Sequence, residues 1–234
     1  MASDLMNKSG PIQARGSNLS GSNFKGRDLT KSVLVDCNLS YAIFRDAVLS
    51  KADLTNSTFN DAIFQDATLI DTCLKNTHLI GAYMWRVNLQ GSNLENANFE
   101  RAYLENSNLQ SANFKGGILR DAKLKDSKLN NAILQGANLD SADLTNCVLQ
   151  TVNLRDASLK KAVLTNVDLK GAKLDDADFY QANLEGANLK NAHLERANLA
   201  KAILRNADLS GANLNEAIMP DGLEFDPRNP LRGL

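Results

Sequence analysis

The sequence predicts an all-β fold in which very short strands and turns stack into one elongated solenoid. The first observation is a five-residue period: Leu, Phe or Met stands at every fifth position from Leu19 to Met219, which makes 41 consecutive units without an insertion. The second is a small residue two positions before each of them, with Arg27 as the single exception. Because so sustained a period is typical of repeat proteins, we expect one elongated domain rather than two ordinary ones.

The order of residue types within a unit indicates strand and turn, not helix. An amphipathic helix needs apolar residues at i, i+3, i+4 and i+7, whereas each unit here has a small, a polar and a large apolar residue followed by two polar ones. The first three positions alternate inward and outward as in a strand. The last two turn the chain, and many are Gly, Asn or Asp, such as Gly21 and Asn56. Since others are Arg86, Arg196 and Glu216, we expect more than one turn type.

The repeat occupies residues 17–219 and leaves two short flanks. Residues 1–16 are polar and lack the repeat, so we interpret them as an N-terminal cap or arm. Residues 220–234 carry Phe225 and Pro230 among others, which makes them apolar enough to cover the last coil and too rich in proline to continue it. We therefore predict a C-terminal cap there.

The strongest repeats resemble a known family. Residues 182–191 read Ala-Asn-Leu-Glu-Gly-Ala-Asn-Leu-Lys-Asn, which is similar to the Ala-(Asp/Asn)-Leu-X-X unit of pentapeptide-repeat proteins, and residues 218–222 resemble the close of cyanobacterial members. The resemblance implies a right-handed quadrilateral β-helix with four units per coil. The repeat then makes about ten coils, and at roughly 4.8 Å per coil the body is about 50 Å long. Side chains 20 residues apart fall in one column.

Composition limits the partners and the compartment. The chain has 26 Lys and Arg against 27 Asp and Glu, so it offers no basic field to nucleic acid. It has no apolar run long enough for a signal peptide or a membrane span. Its three cysteines are too few for a disulfide framework. We expect a cytoplasmic protein that binds neither membrane nor nucleic acid.

The sequence offers no set of residues that would carry a reaction. His78 and His193 are the only histidines, and they lie more than five coils apart on the four-unit interpretation, so they cannot share an ion. No Ser or Cys has a histidine base with an orienting acid, and no glycine-rich phosphate loop interrupts the repeat. We expect no catalytic residue, no metal and no cofactor.

One outward column differs from the polar rest. It contains Ile43, Ile63, Tyr83 and Tyr103, and Trp85 flanks Tyr83 across Met84. These residues suit exposed strands and pair along a stack, which is one interpretation. The other is a partner-binding patch, because such a strip exceeds the scattered apolar residues of ordinary surfaces and because Trp and Tyr are favoured anchors. The candidate partner-binding residues are Ile43, Ile63, Tyr83, Trp85 and Tyr103.

These observations lead to two hypotheses of function from different classes. The first is a non-enzymatic, rigid interaction module whose strip is covered by a protein partner or by a second copy of the chain. The resemblance to cyanobacterial members of the family implies a regulatory role for it. The second is a DNA mimic that binds a type II topoisomerase, as the quinolone-resistance members of the family do. Those members have a strongly acidic face, whereas no acidic column here is longer than Asp46 and Asp66. A purely structural role stays open.

Overall fold

The computed structural model describes residues 10–228 and contains two regular strands. Strand β1 (Gln13–Arg15) pairs in parallel with β2 (Val33–Val35), with Ala14 opposite Leu34. From there onward the chain is built of single β-bridges separated by turns, and the described residues contain no helix. The all-β prediction is confirmed.

The bridges define the size of a coil. From Asn18 with Asn38 to Asn198 with Ile218, each parallel bridge joins residues that are 20 positions apart. Twenty residues are four units, so the chain returns above itself after four sides, as the resemblance implies. The number of coils and the two caps stay predictions.

All corners of the coil use the same backbone conformation. Every fifth residue from Gly16 to Glu216 has a positive φ, and this residue ends the turn in each unit. In a typical unit the amide of Ala47 donates to the carbonyl of Phe44 at 3.0 Å and so closes the turn. The expectation of several turn types is wrong, because Arg86, with a φ of 57°, shares the left-handed region with the glycines. In the coils before the last one, the amide of the positive-φ residue also donates to the next coil, as Arg86 does to Glu105 at 3.0 Å.

The interior contains the large and the small positions of the repeat. Leu144 and Ala142 are both completely buried, as are nearly all their equivalents between the two ends. At the N-terminal end the rings of Phe24 and Phe44 stack with centroids 4.8 Å apart, and those of Phe44 and Phe64 with centroids 4.7 Å apart. The aromatic stack that the 20-residue step predicts is therefore present. Close packing of this kind makes the core sensitive to changes in volume.

Buried hydroxyl groups at the small position bond to the neighbouring coil. The hydroxyl of Ser57 donates to the carbonyl of Leu34 at 2.6 Å and accepts from the amide of Cys37 at 2.9 Å. It thus takes the place of the direct turn bond between those two backbone groups. Because each such hydroxyl has partners, Ser and Thr can replace Ala in the core without leaving a polar group unsatisfied.

The two ends differ from the middle of the body. Arg27, in the first coil, is partly exposed, and its guanidinium carbon lies 5.7 Å from the centroid of the buried Phe24 ring. At the other end Ile218 forms an antiparallel bridge with Glu224, and Phe225 packs against the core. Residues 1–9 and 229–234, which belong to the two predicted caps, lie outside the described residues.

Candidate partner-binding face

The apolar strip predicted from the sequence forms one continuous column. Parallel bridges join Ile43 to Ile63, Ile63 to Tyr83 and Tyr83 to Tyr103. The four residues hold the middle, outward position of their units, so their side chains follow one another along the same side of the coil. The column is a direct result of the uninterrupted period, because a single inserted residue would shift all later members out of line.

Three aromatic rings form the centre of the strip. The rings of Tyr83 and Tyr103 are stacked, and the ring of Trp85 is tilted against both, at 5.3 Å from Tyr83 and 5.6 Å from Tyr103 between centroids. These separations fall in the range in which aromatic pairs attract one another. The three rings therefore support each other and present one surface instead of three separate side chains.

The strip is half-buried and has polar ends. All five residues keep part of their surface exposed, which distinguishes them from the core. Asn23 precedes Ile43 in the column, and the exposed Lys123 follows Tyr103. The strip is thus an apolar patch with a polar rim, the usual composition of a protein interface.

Two residues beside the strip were not predicted from the sequence. Tyr41 is 62% exposed at the corner that precedes Ile43. Glu105 follows Trp85 by one coil, and within residues 10–228 its Oε2 is the one buried side-chain oxygen or nitrogen without a hydrogen-bond partner. The position 20 residues after Trp85, one coil farther along, is Glu105, and the corner residue two positions before Ile43 is Tyr41. Both residues could therefore have been predicted from the period.

The acidic column beside the strip is interrupted by an arginine. Arg86 Nε donates to Asp66 Oδ1 at 2.6 Å and Nη2 to Oδ2 at 2.7 Å, a bidentate pair between successive coils. The hydrogen bonds from Arg86 hold the pKa of Asp66 below its usual range, and Asp66 in turn raises the pKa of the guanidinium. The charge of Asp66 is therefore largely compensated, and only Asp46 remains from the column noted in the sequence.

Ion pairs of this kind recur over the surface. Arg196 bonds Asp176 in the same bidentate manner at 2.7 and 2.8 Å. Arg155 bonds Asp175 at 2.8 Å. Because the partners of these pairs are 20 residues apart, opposite charges follow each other along the columns, and large fields of one sign do not develop.

Amide side chains form two different arrangements. At the corners Asn76 donates to Asn56 at 3.1 Å and Asn96 donates to Asn76 at 3.5 Å, so these amides form a ladder along the body. Asn93 and Asn113 form a backbone bridge and lie on one face. Their side-chain oxygens, however, accept from amides two residues farther along their own chain, at 3.2 and 3.1 Å. Asn or Asp at this position therefore stabilises the turn that follows it.

The described residues contain no group of three or more His, Cys, Asp or Glu that could hold a metal ion. The two histidines belong to different columns: His78 bridges to Thr58 and Asn98, and His193 bridges to Lys173 and Asn213. No helix between residues 10 and 228 is long and apolar enough to cross a bilayer.

The fold and this surface define a class of protein: a four-sided β-solenoid that displays side chains in columns. Sequence profiles described as a pentapeptide repeat region match residues 57–134 and 122–199, and profiles described as pentapeptide repeats (8 copies) match residues 17–56 and 182–219. The chain belongs to the pentapeptide-repeat family.

Several solved structures are similar to this chain. HetL, a pentapeptide repeat protein involved in heterocyst differentiation regulation from the cyanobacterium Nostoc sp. strain PCC 7120, is 31% identical over 92% of this chain and 90% of HetL, with a TM-score of 0.37. Rfr23 from the cyanobacterium Cyanothece 51142 is 29% identical over 53% of this chain and 84% of Rfr23, with a TM-score of 0.37. QnrB1, a plasmid-mediated fluoroquinolone resistance protein, is 16% identical over 88% of this chain and 90% of QnrB1, with a TM-score of 0.45. No curated protein sequence matches the chain.

Proposed function

We propose that this protein is a non-enzymatic interaction module whose aromatic strip docks a protein partner. The observation that carries the proposal is the contiguous, half-exposed column that ends in the three packed rings of Tyr83, Trp85 and Tyr103. Trp and Tyr are the residues that most often dominate the binding energy of an interface. An apolar strip left in water favours association, so a covering partner is the physical expectation.

The rigidity of the body supports this use. Each unit of the strip is bridged to the coil on both sides, as Tyr83 is to Ile63 and Tyr103. Binding therefore orders little backbone, and the mutual stacking of the rings restricts their rotamers before a partner arrives. Such preorganisation lowers the entropic cost of association.

A regulatory role and a cytoplasmic location belong to the same proposal. The regulatory role is proposed from the resemblance to cyanobacterial members of the family, since HetL is described as involved in regulation. The location is supported by three unpaired cysteines, which fit a reducing compartment. We take the body to have about ten coils with a cap at each end, which follows from 20 residues per coil.

Topoisomerase binding by DNA mimicry is the second candidate function. It is favoured by the family and by the short acidic column of Asp46 and Asp66. The bidentate pair between Arg86 and Asp66 weakens it, because a mimic of DNA needs a face of uncompensated negative charge. A gyrase supercoiling assay separates the two: the interaction module leaves supercoiling unchanged at concentrations that saturate its partner.

The test of the main proposal replaces both Tyr83 and Trp85 with Ser. Neither side chain points into the core, so we expect the melting temperature to stay within a few degrees of the wild type. Wild type and double variant are each used to capture proteins from native lysate, and the bound proteins are quantified. We expect the partner to bind the wild type and not the double variant. Light scattering after gel filtration decides whether that partner is a second copy of the chain.

The matched control replaces two outward apolar residues on other faces, Ile118 and Ile133, with Ser. Both are 39% exposed, so the control removes two exposed apolar side chains without touching the strip. The proposal requires the control to bind as the wild type does. Unfolding of the strip variant would mean that the rings serve the stability of the ladder, and unchanged binding would place the interface on another face.

A further inference from the structure

Glu105 adds a negative charge to the aromatic centre of the strip. Its backbone lies next to that of Trp85 along the body, because the amide of Arg86 donates to the carbonyl of Glu105 at 3.0 Å. Glu105 also follows Tyr103 by two residues, across the buried Leu104. The carboxyl group and the three rings therefore border one small area of surface.

The carboxyl group of Glu105 differs from the others at the same position of the repeat. Carboxyl groups there commonly face a cation of a neighbouring coil: Glu95 faces Lys75 at 3.1 Å, and Glu185 faces Arg205 at 2.5 Å. Glu105 instead has an oxygen, Oε2, that is buried and accepts no hydrogen bond. Because Oε2 is closed to solvent, an incoming donor pairs with the other oxygen of this partly exposed side chain, which forms no ion pair within residues 10–228.

We propose that the area formed by Tyr83, Trp85, Tyr103 and Glu105 binds an arginine side chain of the partner protein. This inference rests on the proposed function and specifies the chemistry of the partner. Ring faces carry negative potential and attract a cation, and the carboxylate adds a full charge of the same sign. A guanidinium meets both conditions together, because its plane stacks on a ring while its N–H groups pair with a carboxylate.

The charges around this area set the position of the arginine. Lys123 bridges to Tyr103, and Lys125 follows Glu105 by one coil; both side chains are exposed. They repel a cation that approaches from their side, so the guanidinium enters over Trp85. The two charges should therefore have opposite effects on the affinity for arginine. Loss of the Glu105 charge should lower the affinity, and loss of the Lys125 charge should raise it.

Trp85 is the only tryptophan, so its fluorescence reports on this area alone. The probes are three short peptides that share the frame acetyl-Gly-X-Gly-amide, with arginine, citrulline or glutamate at X. Citrulline has nearly the shape of arginine without its charge. With the whole protein we expect saturable quenching by the arginine peptide in the millimolar range, and binding at least fivefold weaker for citrulline and for glutamate.

Variants connect this binding to the named groups. Glu105→Gln should lower the affinity for the arginine peptide at least threefold, and Lys125→Gln should raise that affinity about twofold. Glu95→Gln, which removes a carboxylate paired with Lys75 on another face, is the control and should change nothing. Each variant is first compared with the wild type by thermal melting, since all three positions are on the surface.

The outcomes separate this inference from the proposed function. Equal binding of arginine and citrulline, preference for the glutamate peptide, no binding of any peptide, or an unchanged affinity in Glu105→Gln each overturns the arginine site. The strip is nevertheless an interface if the lysate capture depends on Tyr83 and Trp85. If that capture is also independent of both residues, the proposed function is wrong as well.

Discussion

The ring of Tyr83 lies almost parallel to the ring of Tyr103, with an interplanar angle of 9° and 5.2 Å between centroids. Inside the coil, Phe44 and Phe64 stack at 5° and 4.7 Å. Both pairs are 20 residues apart, so the spacing of the coils sets the stacking on the two sides of the backbone. The stacked tyrosines of the strip and the stacked phenylalanines of the core are therefore products of one period, and the two pairs differ only in which alternate position of the strand is aromatic.

The inward register predicts unequal tolerance at three neighbouring positions. Leu144→Ala should lower the free energy of unfolding by about 2 to 5 kcal/mol through the cavity it leaves, and Ala142→Leu by about 1 to 3 kcal/mol through overpacking. Both residues are completely buried. Thr145→Lys, at the outward turn position, should change it by less than about 0.5 kcal/mol. Denaturant melts of the three variants measure this, and similar losses at all three positions would contradict the register.

The sequence predicted the columns because the period has no insertion, so that Phe44 over Phe64 and Tyr83 over Tyr103 follow from counting. It did not predict that Ser57 bonds the backbone at Leu34, because that contact depends on where the hydroxyl group lies in the packed coil and not on residue spacing. Spacing places Glu105 beside Trp85 in the same way, but it does not show that one carboxylate oxygen is buried without a hydrogen-bond partner. The uniform turn was missed because the preference of single residues argued against a positive φ at Arg86, whereas all the stacked units share one backbone path.

A further prediction concerns the backbone at Thr151, which has a φ of 56°. The left-handed region is unfavourable for a β-branched residue and is tolerated by Asn. Thr151→Asn should therefore raise the free energy of unfolding by about 0.5 to 1 kcal/mol. The reciprocal change Asn131→Thr, one coil away in the same column with a φ of 60°, should lower it by a similar amount. The Thr151 hydroxyl group also donates to Asn131 Oδ1 at 2.6 Å. Equal and opposite shifts in denaturant midpoint would support the interpretation, whereas two losses would show that this hydrogen bond matters more.

The surface carboxylates predict loss of stability in acid. Hydrogen bonds from Arg86 and Arg196 lower the pKa values of Asp66 and Asp176, and bonds from Ser210 lower the pKa of Asp208 to about 2. A carboxyl group whose pKa is lower in the folded state stabilises the fold above its unfolded value near 4 and loses this contribution as the pH falls through its folded value. Melting temperatures should thus be flat above about pH 5 and fall between about pH 4 and pH 2. Asp66→Asn and Asp176→Asn together should reduce that fall, with Asp156→Asn as a control.

The three cysteines should react with thiol reagents at very different rates. Cys37 and Cys147 are buried, and burial raises both pKa values, that of Cys147 to about 12. Since the thiolate is the reactive form, neither should react near neutral pH while the coil is closed. Cys73 occupies an outward position, half-buried, with its sulfur 3.2 Å from the hydroxyl oxygen of Thr55. A chromogenic disulfide reagent should therefore modify one thiol in the native protein and three in denaturant, and Cys73→Ser should remove the native reaction entirely. Rapid modification of a second thiol without denaturant would show that the coils open locally. Mass spectrometry of the labelled peptides would then identify the modified residue as Cys37, near the N-terminal end, or as Cys147.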